Sequence, residues 1–448
     1  MEKRTFLKLS SAILTGSMLS PLSAWRQREK LKNWAGNYEY GTDRLYYAES
    51  FEQVPEMVKR YKKLKVLGTR HCFNGIADST DNFISLKSLD KLMVLDREAL
   101  TVTVGAGLRY GQLADWLYRN GFALHNLASL PHISIAGACV TGTHGSGINN
   151  GNLSTAVEAM EFVTASGEIK KLSRQLDGDA FSASVVNLGG IGVITKITLN
   201  VQPTYMMRQD VFQNLPLGAL ENHFDEIMGS GYSVSLFTDW QNDIVSQVWI
   251  KRRLDEADKG LPTSEFWGAK PATRNLHPIV ALSAENCTEQ MGVPGPWHER
   301  LPHFKMNFTP SSGKELQSEY FIPREKSYQA ILAISKLQKL VSPHLLISEI
   351  RTIKDDHFWM SPCYMRPSST IHFTWKQDWP SVSKLLPLIE EQLEPFHARP
   401  HWGKLFTMSP ARLKSLYVRL PEFQQLLRQY DGNGKFRNDF LNKYLYQV

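Results

Sequence analysis

Cysteine is scarce in this chain: there are four in 448 residues, Cys72, Cys139, Cys287 and Cys363. None forms a Cys-x-x-Cys pair and none has a histidine at zinc-ligand spacing, so neither a metal site nor a disulfide framework is indicated and free or buried thiols are expected. After the first thirty or so residues no long uninterrupted apolar run occurs, and no membrane span is predicted. Charge of one sign never gathers either. The formal net charge is +7, but Lys and Arg are interspersed with acidic residues, which argues against a nucleic-acid partner and for an ordinary solvated surface. A Gly-x-Gly-x-x-Gly word after a strand, with an acidic residue at the usual distance, is also missing, which disfavours a nicotinamide dehydrogenase.

The chain does contain the makings of a large core. It is 42% hydrophobic and 21% charged, and its length exceeds what one hydrophobic core usually serves, so two domains are expected. The texture changes near Pro203, from glycine-rich α/β segments to longer strands with many aromatics. The first 24 residues read differently. Lys3-Arg4-Thr-Phe-Leu-Lys8 precedes a moderately apolar run, 9–22, that closes on Ser23-Ala24, as a signal peptide does. The word is a variant of the twin-arginine signal and predicts export to the periplasm; the alternative is an amphipathic or disordered arm on a cytoplasmic protein.

Two glycine-rich turns stand out. Residues 61–66 read as a short buried strand, after which the backbone turns at Gly68 and presents successive N–H groups through Gly68-Thr-Arg-His-Cys-Phe-Asn74, a concavity suited to phosphate. Arg70 would complement negative charge, and His71 offers an imidazole to the bound group. The second stretch, Ser134-Ile-Ala-Gly-Ala-Cys-Val-Thr-Gly-Thr-His-Gly-Ser-Gly147, is too crowded with Gly, Ser and Thr for an ordinary strand or helix. Together they suggest one diphosphate cofactor. Around them the chain reads as strand, helix, strand over 46–66, half-buried strands over 83–95 and 100–105, an amphipathic helix over 110–120 ended by Gly121, a strand over 156–165 turned by Gly167, and another tight region at 187–195.

Further on, Glu349 and Arg351 alternate with Ile350 along a predicted strand, 345–353, and so share a face; His372 and Thr374 flank Phe373 in the same way. Two neighbouring strands would then gather an acid, a guanidinium, an imidazole and a hydroxyl. The residues alone leave two readings open: a polar site, or a pair of strands whose wet side faces solvent. Lys251-Arg-Arg253 and Arg324-Glu-Lys326 read as solvated faces, and the Pro-rich loop 293–302 as a rigid connector.

The words Gly68–Asn74, Ala128-Ser-Leu-Pro-His-Ile-Ser134, Thr141-Gly-Thr-His-Gly-Ser-Gly147, Phe237-Thr-Asp-Trp240, Asn286-Cys-Thr-Glu-Gln290, Pro294-Gly-Pro-Trp-His-Glu-Arg300, Glu349-Ile-Arg-Thr352, His372-Phe-Thr-Trp375 and Pro400-His-Trp-Gly-Lys404 resemble the flavoprotein superfamily of vanillyl-alcohol-oxidase type, and within it the alditol (xylitol, sorbitol) oxidases. The resemblance implies an α+β architecture: a two-subdomain FAD-binding domain over 37–203, an α/β substrate cap over 204–400, and a tail, 401–448, returning to the FAD domain. It implies FAD held by Gly68, Thr69, Arg70, His71, Cys72, Ser129, Ser134, Gly137, Ala138, Cys139, Thr141, Gly142, Ile191 and His401, joined covalently through His71. A polyol would be bound by Ser129, Glu349, Arg351, Thr374 and Lys404, with Lys404 and His372 as candidate proton handlers and Glu349 and Arg351 completing the catalytic set. Dioxygen would take the electrons and yield hydrogen peroxide, in a protein that works as a monomer. Two alternatives are an aldonolactone oxidase or dehydrogenase with the same flavin chemistry and a sugar-binding flavoprotein that has lost catalysis.

Overall fold

Local sequence dictates most elements directly. In the helix Gln53–Arg60, Val54 and Val58 lie four apart and both are buried, which points them down one face. In the helix Tyr110–Arg119 the buried set is Tyr110, Leu113, Ala114 and Leu117, the i, i+3, i+4, i+7 stripe that seats a helix on a core. Asn120 Nδ2 closes its end by donating to Trp116 O at 2.8 Å, and Gly121 follows at φ +84°, a left-handed conformation that glycine adopts without penalty.

A computed structural model of the chain describes residues 30–255, 265–305 and 314–446. The predicted export signal, 1–24, lies outside the described residues. From Leu31 onward the chain forms one compact unit, and among the described residues no helix is long and apolar enough to cross a membrane. Strands β1 (Leu45–Tyr47), β2 (Lys65–Val66) and β3 (Phe83–Ser85) pair in parallel in the order β1-β3-β2. Then come β4 (Met93–Asp96), β5 (Thr101–Gly105), β6 (Phe122–Ala123), β7 (Val157–Val163), β8 (Ile169–Ser173), β9 (Val193–Asn200) and β10 (Gln202–Pro203). Of these, five form an antiparallel sheet, β4-β5-β9-β7-β8, and β6 pairs with β10. The predicted strand over 83–95 is thus two short strands in different sheets.

Past Pro203 a single large antiparallel sheet takes over, matching the change of texture in the sequence. It contains β11 (Met206–Pro216), β12 (Ser233–Thr238), β13 (Ile244–Arg253), β14 (Lys270–Pro271), β15 (Gly295–Pro296), β16 (Glu315–Pro323), β17 (Leu345–Ile353), β18 (Ser368–Lys376) and β19 (Arg399–Pro400), in the order β14-β11-β13-β12-β17-β18-β16-β19 with β15 on β11. The C-terminal segment returns to the first part of the chain. Asn438 Nδ2 donates to Gly75 O, Ile76 O and Asp78 O, at 3.0, 3.1 and 2.9 Å, and so clamps the stretch just after His71.

The second glycine-rich stretch corrects one expectation, because residues Ile135–Val140 form a short helix. Gly137 weakens a helix by about 1 kcal/mol. Ile135, Ala138 and Cys139 are nevertheless buried in the main core, and that packing outweighs propensity.

Candidate active site

The predicted loop after β2 is built from backbone. Leu67 N donates to Ile84 O at 2.9 Å and Phe73 N to Gly403 O at 2.8 Å, but among the described residues the N–H groups of 68–72 between them donate to nothing in the chain. The positive φ that shapes the turn falls on Arg70, at +62°, and Gly68 keeps an ordinary φ. The loop is bracketed from the N-terminal side: Asn33 Nδ2 donates to Cys72 O at 2.7 Å, Asn37 Nδ2 to Phe73 O at 2.9 Å and Trp34 N to Arg70 O at 2.8 Å. Facing it, Ser134 N donates to Thr69 Oγ1 at 3.2 Å, which stitches the two glycine-rich stretches together. Unused backbone donors in a concave turn beside the first turn of a helix are what a diphosphate needs, so the residues present fit FAD.

His71 sits at the edge of this cradle. Its ring is 4.5 Å from Trp34 and 5.1 Å from His132, centroid to centroid, and its Nδ1 is 3.4 Å from His132 Nε2. Burial, then the charges of His132 and Lys404, push His71 down to about 3, so the imidazole is neutral at working pH.

A cavity of about 710 Å³ joins the cradle to the large sheet. Sheet register sets its far wall. Phe237 pairs with Glu349, Glu349 with His372, and His372 with Glu319, so β12, β17, β18 and β16 place these side chains in one row. Arg351 and Thr374 lie beside them on the same face, and Phe237, Glu349, Arg351, His372, Thr374 and Glu319 all line the cavity. The wet-strand reading fails, because Glu349, Arg351, His372 and Thr374 are all buried. Ile350 and Phe373, the alternating residues, lie in the core as predicted.

Glu319 is the hub of this wall. Only 1% exposed, its carboxylate accepts from Arg351 Nη2 at 2.9 Å and from Lys404 Nζ at 2.6 Å, and His144 Nε2 lies 3.2 Å away. Burial alone would raise its pKa, but Lys404, His144 and Arg351 together hold it well below the usual carboxylate range. Glu349 takes a hydrogen bond from His303 Nε2 at 2.7 Å and faces Arg351 Nε at 3.5 Å, both on Oε1; Oε2 accepts nothing from the described residues. Its carboxyl, too, is held low against burial by Arg351 and His303. Arg351 Nη1 reaches Ser129 Oγ at 3.5 Å. His372 has no partner on either ring nitrogen, and burial followed by Lys404 keeps it far below its ordinary value.

Lys404 arrives from the other side. Asn74 Nδ2 donates to Trp402 O at 2.9 Å and Lys404 O at 2.7 Å, and His401 N donates to Glu319 O at 2.9 Å. The loop that carries Lys404 is therefore tied both to the His71 loop and to β16. Burial lowers Lys404 and Glu319 opposes that shift.

The cavity brings together most predicted residues: Gly68, Thr69, Arg70, His71, Cys72, Ser129, Ser134, Gly137, Ala138, Thr141, Glu349, Arg351, His372, Thr374, His401 and Lys404 all line it. Cys139, Gly142 and Ile191 do not. Cys139 is in the core with its Sγ 3.6 Å from Tyr110 Oη, Gly142 turns against Pro362, and Ile191 is fully buried in the core, leaving Leu188 and Gly189 of that loop on the cavity. Sequence reasoning missed Glu319, Gln317, His303 and His144. It also misjudged Lys251, which is 0% exposed and not on a solvated face. A usable signal existed for Lys251: it falls in phase with Gln247 and Trp249 on one strand, and Trp249 marks that face as interior.

The unused backbone donors, the neutral imidazole beside them and the buried wall of paired charges define a flavin-binding oxidoreductase. Comparisons agree at both ends of the chain: a model for an FAD binding domain matches residues 43–173, and one for D-arabinono-1,4-lactone oxidase matches residues 305–444. The chain is 44% identical over 418 residues to alditol oxidase of Streptomyces sp. (strain IKD472 / FERM P-14339), covering 92% of this chain and 98% of that protein. It is 26% identical to L-gulonolactone oxidase of Mus musculus, over 93% and 98% of the two chains. Among solved structures, a solvent-stable cholesterol oxidase superposes with a TM-score of 0.74 at 16% identity, over 92% and 96% of the chains, a likeness of fold. The chain belongs to the alditol oxidase family of vanillyl-alcohol-oxidase-type FAD flavoproteins.

Proposed function

We propose that this protein oxidises the terminal hydroxyl of an acyclic polyol, such as xylitol or sorbitol, to the aldose, with dioxygen as acceptor and hydrogen peroxide as product. The observation that carries the reading is the row Glu349, His372, Glu319, flanked by Arg351 and Lys404 and facing the His71 cradle across one cavity. A hydroxyl-rich substrate leaving water needs alternating donors and acceptors, since each group left unpaired is costly. FAD, when bound, supplies the acceptor for the hydride leaving the carbinol carbon.

The chain's own residues do the rest. Glu349 Oε2 is free to accept from a substrate hydroxyl, and the Arg351 guanidinium beside it donates to the oxygens. Lys404, an ammonium pinned to Glu319, has two further hydrogens to offer to the reacting oxygen but no lone pair for a proton. His372 is buried and unpartnered on both nitrogens, so a ring lone pair is open to the substrate hydroxyl and we assign it the hydroxyl proton, although burial and Lys404 make the ring a weaker base than a free imidazole. Ser129 and Thr374 complete the polyol contacts. His71 is proposed to carry the flavin covalently. We further propose that 37–203 and 204–400 act as FAD and cap domains, that the protein is a monomer, and that the basic Lys3-Arg4 start and the Ser23-Ala24 boundary direct its export.

The lactone reading is supported by the match of residues 305–444 to the arabinonolactone oxidase model and by the 26% identity to L-gulonolactone oxidase of Mus musculus. A panel of polyols and aldonolactones, assayed for peroxide and for anaerobic flavin bleaching, separates the two. Turnover of lactones with no response to any polyol would overturn the alditol reading. His71→Ala should yield protein whose flavin is released on acid denaturation; flavin still bound to the denatured polypeptide would refute the attachment.

A further inference from the structure

Behind Glu349 lies a second layer of buried polar groups that the reaction scheme does not use. Lys251 on β13 is fully buried, and its ammonium has three hydrogens and three acceptors: Leu301 O at 2.6 Å, Pro302 O at 2.8 Å and His303 Nδ1 at 3.3 Å. Burial lowers Lys251 well below its ordinary value while Glu349 opposes that shift. The Glu349 carboxylate, held low against burial by Arg351, can only accept, so the hydrogen between it and the ring belongs to Nε2, and His303 Nδ1 is left to accept from Lys251 Nζ. The ring's one proton then lies on Nε2, which donates it to Glu349 Oε1 at 2.7 Å.

The ring has little freedom to turn. Phe237 and Trp249 meet it edge-on, with centroids 5.5 and 5.3 Å away, and Trp249 is itself fixed by Nε1 donating to Gln247 Oε1 at 2.8 Å. His303 N donates to Ser129 O at 3.2 Å, and His303 O accepts from Thr288 N at 2.9 Å. The segment therefore ties together the backbone of Ser129 and the carboxylate of Glu349, two residues that line the cavity and that Arg351 also touches.

We propose that Lys251 and His303 are a positioning pair: Lys251, donating to Nδ1, supports the Nε2–H tautomer of His303 that Glu349 accepts from, and His303 holds Glu349 Oε1 so that Oε2 faces the substrate hydroxyls. The opposite tautomer would set a nitrogen lone pair against the carboxylate and free Glu349 to swing toward Arg351. A charged imidazole would instead cancel the Glu349 charge. Burial, with Lys251 acting in the same direction against the pull of Glu349, holds His303 at about 4, so the ring stays neutral.

The functional part of this inference rests on the polyol reading. Glu349 is held alike before and during hydride loss, so disturbing it should weaken substrate binding more than the chemical step. His303→Leu is expected to raise the polyol concentration for half-maximal anaerobic flavin reduction by roughly 10–100-fold, the worth of a hydrogen bond to a charged group. The limiting rate should change by less than about threefold on the same reasoning. His303→Gln, whose amide nitrogen reaches the Nε2 position, should recover binding to within about threefold. Wild-type binding in His303→Leu, or His303→Gln no better than His303→Leu, would overturn the pair's role.

A substrate-free readout judges it separately. In 15N-histidine-labelled protein the resonance lost in His303→Gln should report Nε2–H with bare Nδ1, and Lys251→Met should shift that resonance toward the Nδ1–H form. An Nδ1–H signal in wild type, or none of the shift in Lys251→Met, would refute the tautomer assignment. If no polyol reduces the wild-type flavin, the functional reading falls and the spectrum still decides the pair.

Discussion

The two walls of the cavity are built from different materials. On the cradle side, residues 68–72 offer backbone N–H groups, and side chains such as Thr69 Oγ1 and Asn33 serve to hold that backbone in place. On the sheet side almost nothing is offered by backbone, because the strands have already used it on one another; what faces the cavity is a set of buried ionic side chains whose charges hold each other. The cradle recognises an anion by a shape that many side chains can support. The sheet wall recognises hydroxyls by particular atoms, and a single truncation there leaves a buried partner unsatisfied.

The contrast is broken or sharpened by substitution on each side, and the sheet wall should give the largest effects. His372→Asn removes the group assigned the hydroxyl proton and should lower the limiting rate of anaerobic flavin reduction by roughly 10²–10⁴-fold, the scale of a lost general base. A rate within threefold of wild type would pass the proton role to another group. Lys404→Ala takes away the ammonium aimed at the reacting oxygen and should cost roughly a hundredfold in the same measurement, at saturating polyol. Arg351→Lys keeps the charge and loses the planar fork that spans Glu319, Glu349 and Ser129. It should raise the polyol concentration needed by about tenfold, read from the concentration dependence of reduction.

How much of each wall could be read from sequence follows from the same difference. A backbone-built site needs glycine and small residues in consecutive order, so Gly68–Asn74 and the 134–147 stretch were visible as words. A strand pair announces itself by alternation, which is why β17 ran over the predicted residues and Glu349 and Arg351 shared a face. Glu319 carried no such mark: it is one acid just ahead of the apolar run Tyr320-Phe-Ile322, and only the register of β16 against β18 sets it opposite His372. His303 and Lys251 were hidden more deeply. One stood just past what read as a connector, 293–302, and the other began what read as a solvated basic face, and their meeting depends on a loop folding back over β13. The short helix at 135–140 was missed because its composition opposes a helix and its burial supplies one.

The smallest effect belongs to the cradle, at Gly68. Its φ is not in the left-handed region, so the backbone there does not demand glycine; what a side chain would meet is Ser134 Oγ, 2.7 Å from an added Cβ, with Ser134 Cβ already at 3.7 Å. A serine hydroxyl can rotate away, and Ser134 Oγ caps no helix, so the clash is local and relieved cheaply. Gly68→Ala should therefore lower stability by about 1 kcal/mol, the common size of a point mutation without cavity or charge loss. Removing the obstacle with Ser134→Ala should restore most of that loss in the double variant, a coupling expected only of groups in contact. Melting curves of the four proteins, with flavin content measured on each, test this. If Gly68→Ala loses its flavin and Ser134→Ala does not rescue it, the methyl is obstructing the bound group itself, and the cradle would prove as intolerant of single atoms as the sheet wall opposite.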